Sequence, residues 1–73
     1  MVAEQLHIEV LEYLDQVRVR VEKALDKDVY TSYQYLLPDR IVLRFGVGEA
    51  LFSTDYNPSW PPKSVAESIL SNY

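Results

Sequence analysis

Arg40-Ile41-Val42-Leu43-Arg44-Phe45-Gly46-Val47 is the stretch on which the fold turns. Ile41, Leu43, Phe45 and Val47 alternate with Arg40, Val42, Arg44 and Gly46, the period-two pattern of a strand with one buried face. A reversal signal stands at each end. Leu37-Pro38-Asp39 precedes the stretch, and the fixed φ of proline suits a turn. Gly48-Glu49 follows it, and glycine at the first position of a two-residue loop signals a type II′ hairpin. The stretch therefore reads as the middle strand of a small sheet.

Working outward, Val29 to Leu36 is rich in β-branched and aromatic residues and reads as the preceding strand. Ala50 to Tyr56 reads as the following one. A Gly48-Glu49 loop sets Val47 opposite Ala50, Phe45 opposite Phe52, Leu43 opposite Thr54 and Ile41 opposite Tyr56. That register makes one coherent apolar face. An even-length loop at Pro38-Asp39 adds Leu36 to it. It also gathers Tyr33, Tyr35, Arg40, Val42, Arg44, Leu51, Ser53 and Asp55 on the opposite face. An odd-length loop with a bulge sends Tyr33 and Tyr35 into the core instead. The even register is the expectation carried forward.

The flanking segments read as helices. From about Ala3 to Lys27, Leu6, Val10, Leu14, Val17, Val21 and Leu25 recur at spacings of three and four. Glu4 and Glu9 near the start and Lys23 and Lys27 near the end match the helix dipole. Ile8, Leu11 and Val19 lie off the stripe. Asn57-Pro58-Ser59-Trp60-Pro61-Pro62 is an irregular connector, because its prolines remove donors and restrict their predecessors. A short helix follows from about Pro62 to Asn72, with proline suited to its first turn. Val65, Ala66, Ile69, Leu70 and Tyr73 form its apolar stripe. The expected fold is α+β, in the order α-β-β-β-α. It is a three-stranded antiparallel meander with a long N-terminal and a short C-terminal helix packed on one face.

Composition bounds the function. With 73 residues, 48% of them hydrophobic and 12% aromatic, the chain reads as one small globular domain, residues 1–73. There is no cysteine and one histidine, so disulfides and thiolate metal sites are excluded and no cofactor is indicated. A net charge of −4 opposes non-specific binding to nucleic acid or anionic membrane. No apolar run is long enough to span a bilayer and no leader pattern opens the chain, so a cytoplasmic location is expected.

The element order resembles that of the double-stranded RNA-binding domain, in order alone. That family grips phosphates with a lysine cluster opening its second helix. Here the corresponding position offers Pro61-Pro62-Lys63-Ser64, one cation in an acidic chain.

Four features carry the functional reading. Tyr33, Tyr35, Arg40 and Arg44 form a candidate partner-binding patch on the open sheet face, since tyrosine and arginine are enriched in interface hot spots. Arg44 is expected across from Tyr33, and Asp55 diagonal to both arginines. The competing reading is ordinary cross-strand stabilisation. His7 has no convergent partner in the sequence and reads as a partly buried helix-edge residue. Trp60 reads as a plug between the sheet and the second helix.

The fourth feature is length. About 25 helical residues make a rod of roughly 37 Å, and strands of about seven residues span only roughly 23 Å. The start of the helix should then project, leaving Val2, Leu6 and Val10 uncovered beside Ile8 and Leu11. Leu6, Ile8, Val10 and Leu11 are accordingly the candidate homodimer interface. A non-enzymatic protein-interaction module, acting as a homo-oligomer and on another protein, is the expected function. A nucleic-acid-associated module using the Tyr/Arg sheet face is the alternative.

Overall fold

A computed structural model describes residues 2–73, with side chains from Gln5 onward. Its elements are α1 (Val2–Leu25), β1 (Val29–Leu36), β2 (Arg40–Val47), β3 (Ala50–Asp55) and α2 (Pro62–Asn72). The sheet is an antiparallel meander in the order β1-β2-β3, so β2 is central as its alternation requires. Both helices cover the face that carries Ile41, Leu43, Phe45 and Val47, and all four residues are buried there. The fold class is the expected α+β arrangement. No helix among the described residues is long and apolar enough to cross a membrane.

The start of β3 and the end of α1 are set locally. Gly48 takes φ +60 while Glu49 keeps a negative φ, which makes the β2–β3 loop the expected type II′ turn. Phe45 then faces Phe52 and Val47 faces Ala50. α1 has no glycine to end it. Asp26 adopts the left-handed conformation instead, at φ 54, and its amide donates to the Glu22 carbonyl at 2.7 Å. The Glu22 carboxylate accepts the Val29 amide at 2.9 Å, tying the end of α1 to the start of β1.

The β1–β2 register corrects the sequence expectation. Leu36 faces Arg40, so the loop is three residues, Leu37-Pro38-Asp39, and parity shifts by one. Val29, Thr31, Tyr33 and Tyr35 lie on the helix side with their partners Val47, Phe45, Leu43 and Ile41. Tyr30, Ser32, Gln34 and Leu36 lie on the open side. The physical reason is desolvation. An even register would turn Ser32 and Gln34 toward the core and Val29 toward water, and an unpaired buried amide costs about 1–3 kcal/mol. The observed register buries Val29 and leaves Gln34 exposed.

The same shift removes the projecting start of α1. Tyr33 reaches under its first turns: the Tyr33 hydroxyl and His7 Nδ1 are hydrogen-bond partners, with ring centroids 5.6 Å apart. Tyr56 meets Tyr13 edge to face at 5.2 Å. Leu6 packs against the core and Val10 is fully buried, so neither lacks internal cover. The side chain of Val2 lies outside the described residues. β1 and β2, at eight residues each, complete the support.

Candidate functional site

Two surfaces stand out. The first is the open face of the sheet, which no helix covers. Its rows follow from the register: Tyr30–Gly46–Leu51, Ser32–Arg44–Ser53, Gln34–Val42–Asp55 and Leu36–Arg40. Tyr30 is 70% exposed and Leu51 66%, and the glycine between them leaves a shelf with no side chain. A Cβ built on Gly46 would sit 3.9 Å from the Tyr30 Cδ2, so the tyrosine ring leans toward this shelf.

The charged half of the face is partly self-neutralised. Arg40 Nε donates to Asp55 at 3.0 Å, and Arg44 donates to the Gln34 amide oxygen at 3.0 Å. Val42 lies between Arg40 and Arg44 along β2 and between Gln34 and Asp55 across the sheet, and it is buried although it lies on the open side.

Arg40 and Arg44 therefore share a face, as expected, with Asp55 paired to Arg40. Tyr33 and Tyr35 do not join them. Tyr33 is half-buried beneath α1. Tyr35 is exposed on the helix side, its hydroxyl 3.5 Å from the Pro38 carbonyl. Arg44 lies across from Ser32, not Tyr33. The aromatic that does occupy the open face is Tyr30. Ser32 and Gln34 carry the signal that identifies it, because polar residues at alternate positions mark the wet side of a strand.

Of the candidate helix interface, Ile8 and Leu11 are exposed, whereas Leu6 and Val10 face inward. Glu12 and Asp15 lie beside the two exposed residues, and Asp15 is engaged by Arg18, which also donates to Glu22 at 2.9 Å. That pairing holds the Arg18 guanidinium above its ordinary pKa, chiefly through the hydrogen bond to Asp15 and then the charge of Glu22.

The second surface is a groove of about 300 Å³ between β3 and α2. Val65 and Ile69 of α2 and Phe45 and Phe52 of the sheet supply its apolar lining. Trp60 lines it without filling it and is 38% exposed, so the expected plug is incomplete. The connector holding Trp60 is anchored from behind by the Tyr13 hydroxyl, which donates to the Trp60 carbonyl at 2.6 Å. Burial pushes the Tyr13 phenol above its ordinary pKa, and neighbouring Tyr56 adds to the rise. Tyr56 is itself raised by burial, then by the charge of Glu9.

Among the described residues no group of three or more His, Asp or Glu side chains is placed to hold a metal ion. No family model, curated protein or solved structure matches the chain.

Proposed function

We propose that the protein is a small, non-enzymatic interaction module that self-associates as a homodimer through the open face of its sheet. The observation carrying this reading is the row Tyr30–Gly46–Leu51, two largely exposed apolar side chains flanking a bare shelf on a helix-free face. Large exposed apolar groups gathered on one face favour a protein partner.

Charge selects a second copy for this face over the outer side of α1. The sheet face carries Arg40, Arg44 and Asp55, so it has both signs and little net charge. Ile8 and Leu11 lie beside Glu12 and the Asp15–Arg18 pair, and two copies meeting there would carry the Glu12 carboxylates into the contact.

Sedimentation at micromolar concentration tests the reading. A dimer is expected for the native chain, a monomer for Tyr30→Glu, and an unchanged dimer for Ile8→Glu. A native chain that sediments as a monomer throughout would refute dimerisation. A dimer broken by Ile8→Glu and not by Tyr30→Glu would move it to α1.

A further inference from the structure

The groove between β3 and α2 is walled by backbone on one side. Its lining includes Leu51, Phe52, Ser53 and Thr54 in succession. Side chains of consecutive strand residues point to opposite faces, so all four border one groove only where the strand presents its edge. β3 is such an edge, since the sheet ends with it.

The hydrogen-bond phase of that edge is fixed. Val47 and Ala50 flank a two-residue hairpin loop and form a hydrogen-bonded pair, so Ala50, Phe52 and Thr54 spend their amides and carbonyls on β2. The Tyr56 amide continues the same phase, donating to the Ile41 carbonyl at 2.8 Å. Leu51, Ser53 and Asp55 therefore turn their amides and carbonyls outward. No hydrogen bond among the described residues engages them.

α2 leaves room beside this edge. It packs chiefly on α1 through Val65, Ala66 and Ile69 and stands off from β3. The helix begins near the end of β3 and finishes near its start, where the Tyr73 hydroxyl lies 3.6 Å from a Cβ built on Gly48. It thus runs back beside β3 in the opposite sense. The groove between them has a row of free backbone donors and acceptors on one wall and apolar side chains on the other.

We propose that this groove binds an extended peptide segment of another protein, which adds to the sheet as a fourth strand beside β3. Its backbone pairs with the outward groups of Leu51 and Ser53. An apolar side chain on its helix side enters the space between Phe52, Ile69 and Trp60. Strand addition draws affinity from the main chain and selectivity from the pocket receiving alternate side chains. A second copy of this chain is the poorer occupant. Its own β3 has Phe52 and Thr54 lining the same groove in that copy, with no further apolar side chain to fill this space. The proposal rests on the reading of the chain as an interaction module, and is independent of dimerisation through the open face.

The test uses a phage-displayed library of random linear peptides of about ten residues, long enough for one strand. Enriched peptides are synthesised and titrated into the full chain, with the emission of Trp60, the sole tryptophan, as the readout. Hydrogen exchange at the Leu51 and Ser53 amides is followed in parallel. Shifted emission and slowed exchange at both amides are expected. Ser53→Pro removes one outward donor without touching the internal ladder, and should weaken binding by about tenfold or more. Ser68→Phe, which obstructs the groove from the exposed side of α2, should abolish it and provides an independent check if the proline variant does not fold. Tyr30→Glu should leave binding unchanged even where it breaks the dimer.

Failure to enrich any peptide would overturn the proposal. So would peptides indifferent to both groove variants, or peptides lost in Tyr30→Glu alone. A native dimer dissociated by Ser68→Phe would also overturn it, by making a second copy the occupant. A monomeric native chain that still binds peptides in the groove would overturn the dimer and leave this proposal standing.

Discussion

Tyr13 donates its hydroxyl to the carbonyl of Trp60 at 2.6 Å, joining the middle of α1 to the connector between β3 and α2. Forty-seven positions separate the two residues, so the bond fixes where α2 starts relative to the rest of the core. Removing the hydroxyl in Tyr13→Phe should cost about 1 kcal/mol. The pH dependence has a definite sign. The folded-state pKa of Tyr13 is raised above its unfolded value of 10.0. Its contribution is therefore fully present below pH 10 and is lost as pH rises through the folded value. Thermal melts of the native chain should be flat on approaching pH 10 and fall above it, and Tyr13→Phe should blunt that fall. An alkaline limb identical in both proteins would assign it elsewhere, with Tyr56 the first alternative.

Phe45 and Phe52 face each other across β2 and β3, and Phe45 is fully buried. Truncating Phe45 to alanine should cost on the order of 3–5 kcal/mol. A domain of this size has little more than that in hand. Far-UV circular dichroism of Phe45→Ala should show a largely unfolded chain at room temperature. A cooperative melt within a few degrees of the native one would contradict the central position of this side chain.

The order of elements, the β2–β3 register and the core stripe of α1 were legible because each rests on a local signal. Gly48 dictates the hairpin phase, and one polar-apolar alternation runs through β2. The β1–β2 register was harder, since Leu37-Pro38-Asp39 is compatible with more than one loop length. The deciding signal lay in the strand and not in the loop: Ser32 and Gln34 belong in water and Val29 does not. Missing it moved two tyrosines to the wrong face. The start of α1 looked bare on helix and strand lengths alone, and Tyr33 is part of what covers it. The groove beside β3 had no sequence signature. It depends on how far α2 stands from the sheet edge, a distance set by packing between Val65, Ala66, Ile69 and α1 and not by any motif.

That register has a direct mutational test. Tyr33 is half-buried against the core and hydrogen-bonded to His7, while Gln34 is exposed. Tyr33→Ala should lower stability by about 1–3 kcal/mol, and Gln34→Ala should fall within roughly 0.5 kcal/mol of the native chain. Urea denaturation monitored at Trp60 gives both values. The even register predicts the reverse order, so a larger loss at Gln34 than at Tyr33 would restore it.

Gly46 separates folding from association. Its φ lies outside the left-handed region, and a Cβ placed there meets Tyr30 only at ordinary contact distances of 3.5 and 3.9 Å. Nothing in the fold requires glycine. Gly46→Ala should then stabilise the monomer by roughly 0.4–1 kcal/mol, mainly by restricting the unfolded chain. For a domain of this length that raises the melting temperature by about 2–8 °C. The same methyl group rises from the shelf between Tyr30 and Leu51, which a second copy would need for close approach. The substitution should therefore weaken the dimer in sedimentation while strengthening the fold under dilute conditions. Opposite signs in the two measurements would mark Gly46 as kept for association. A gain in both would mean that the shelf is not where the copies meet.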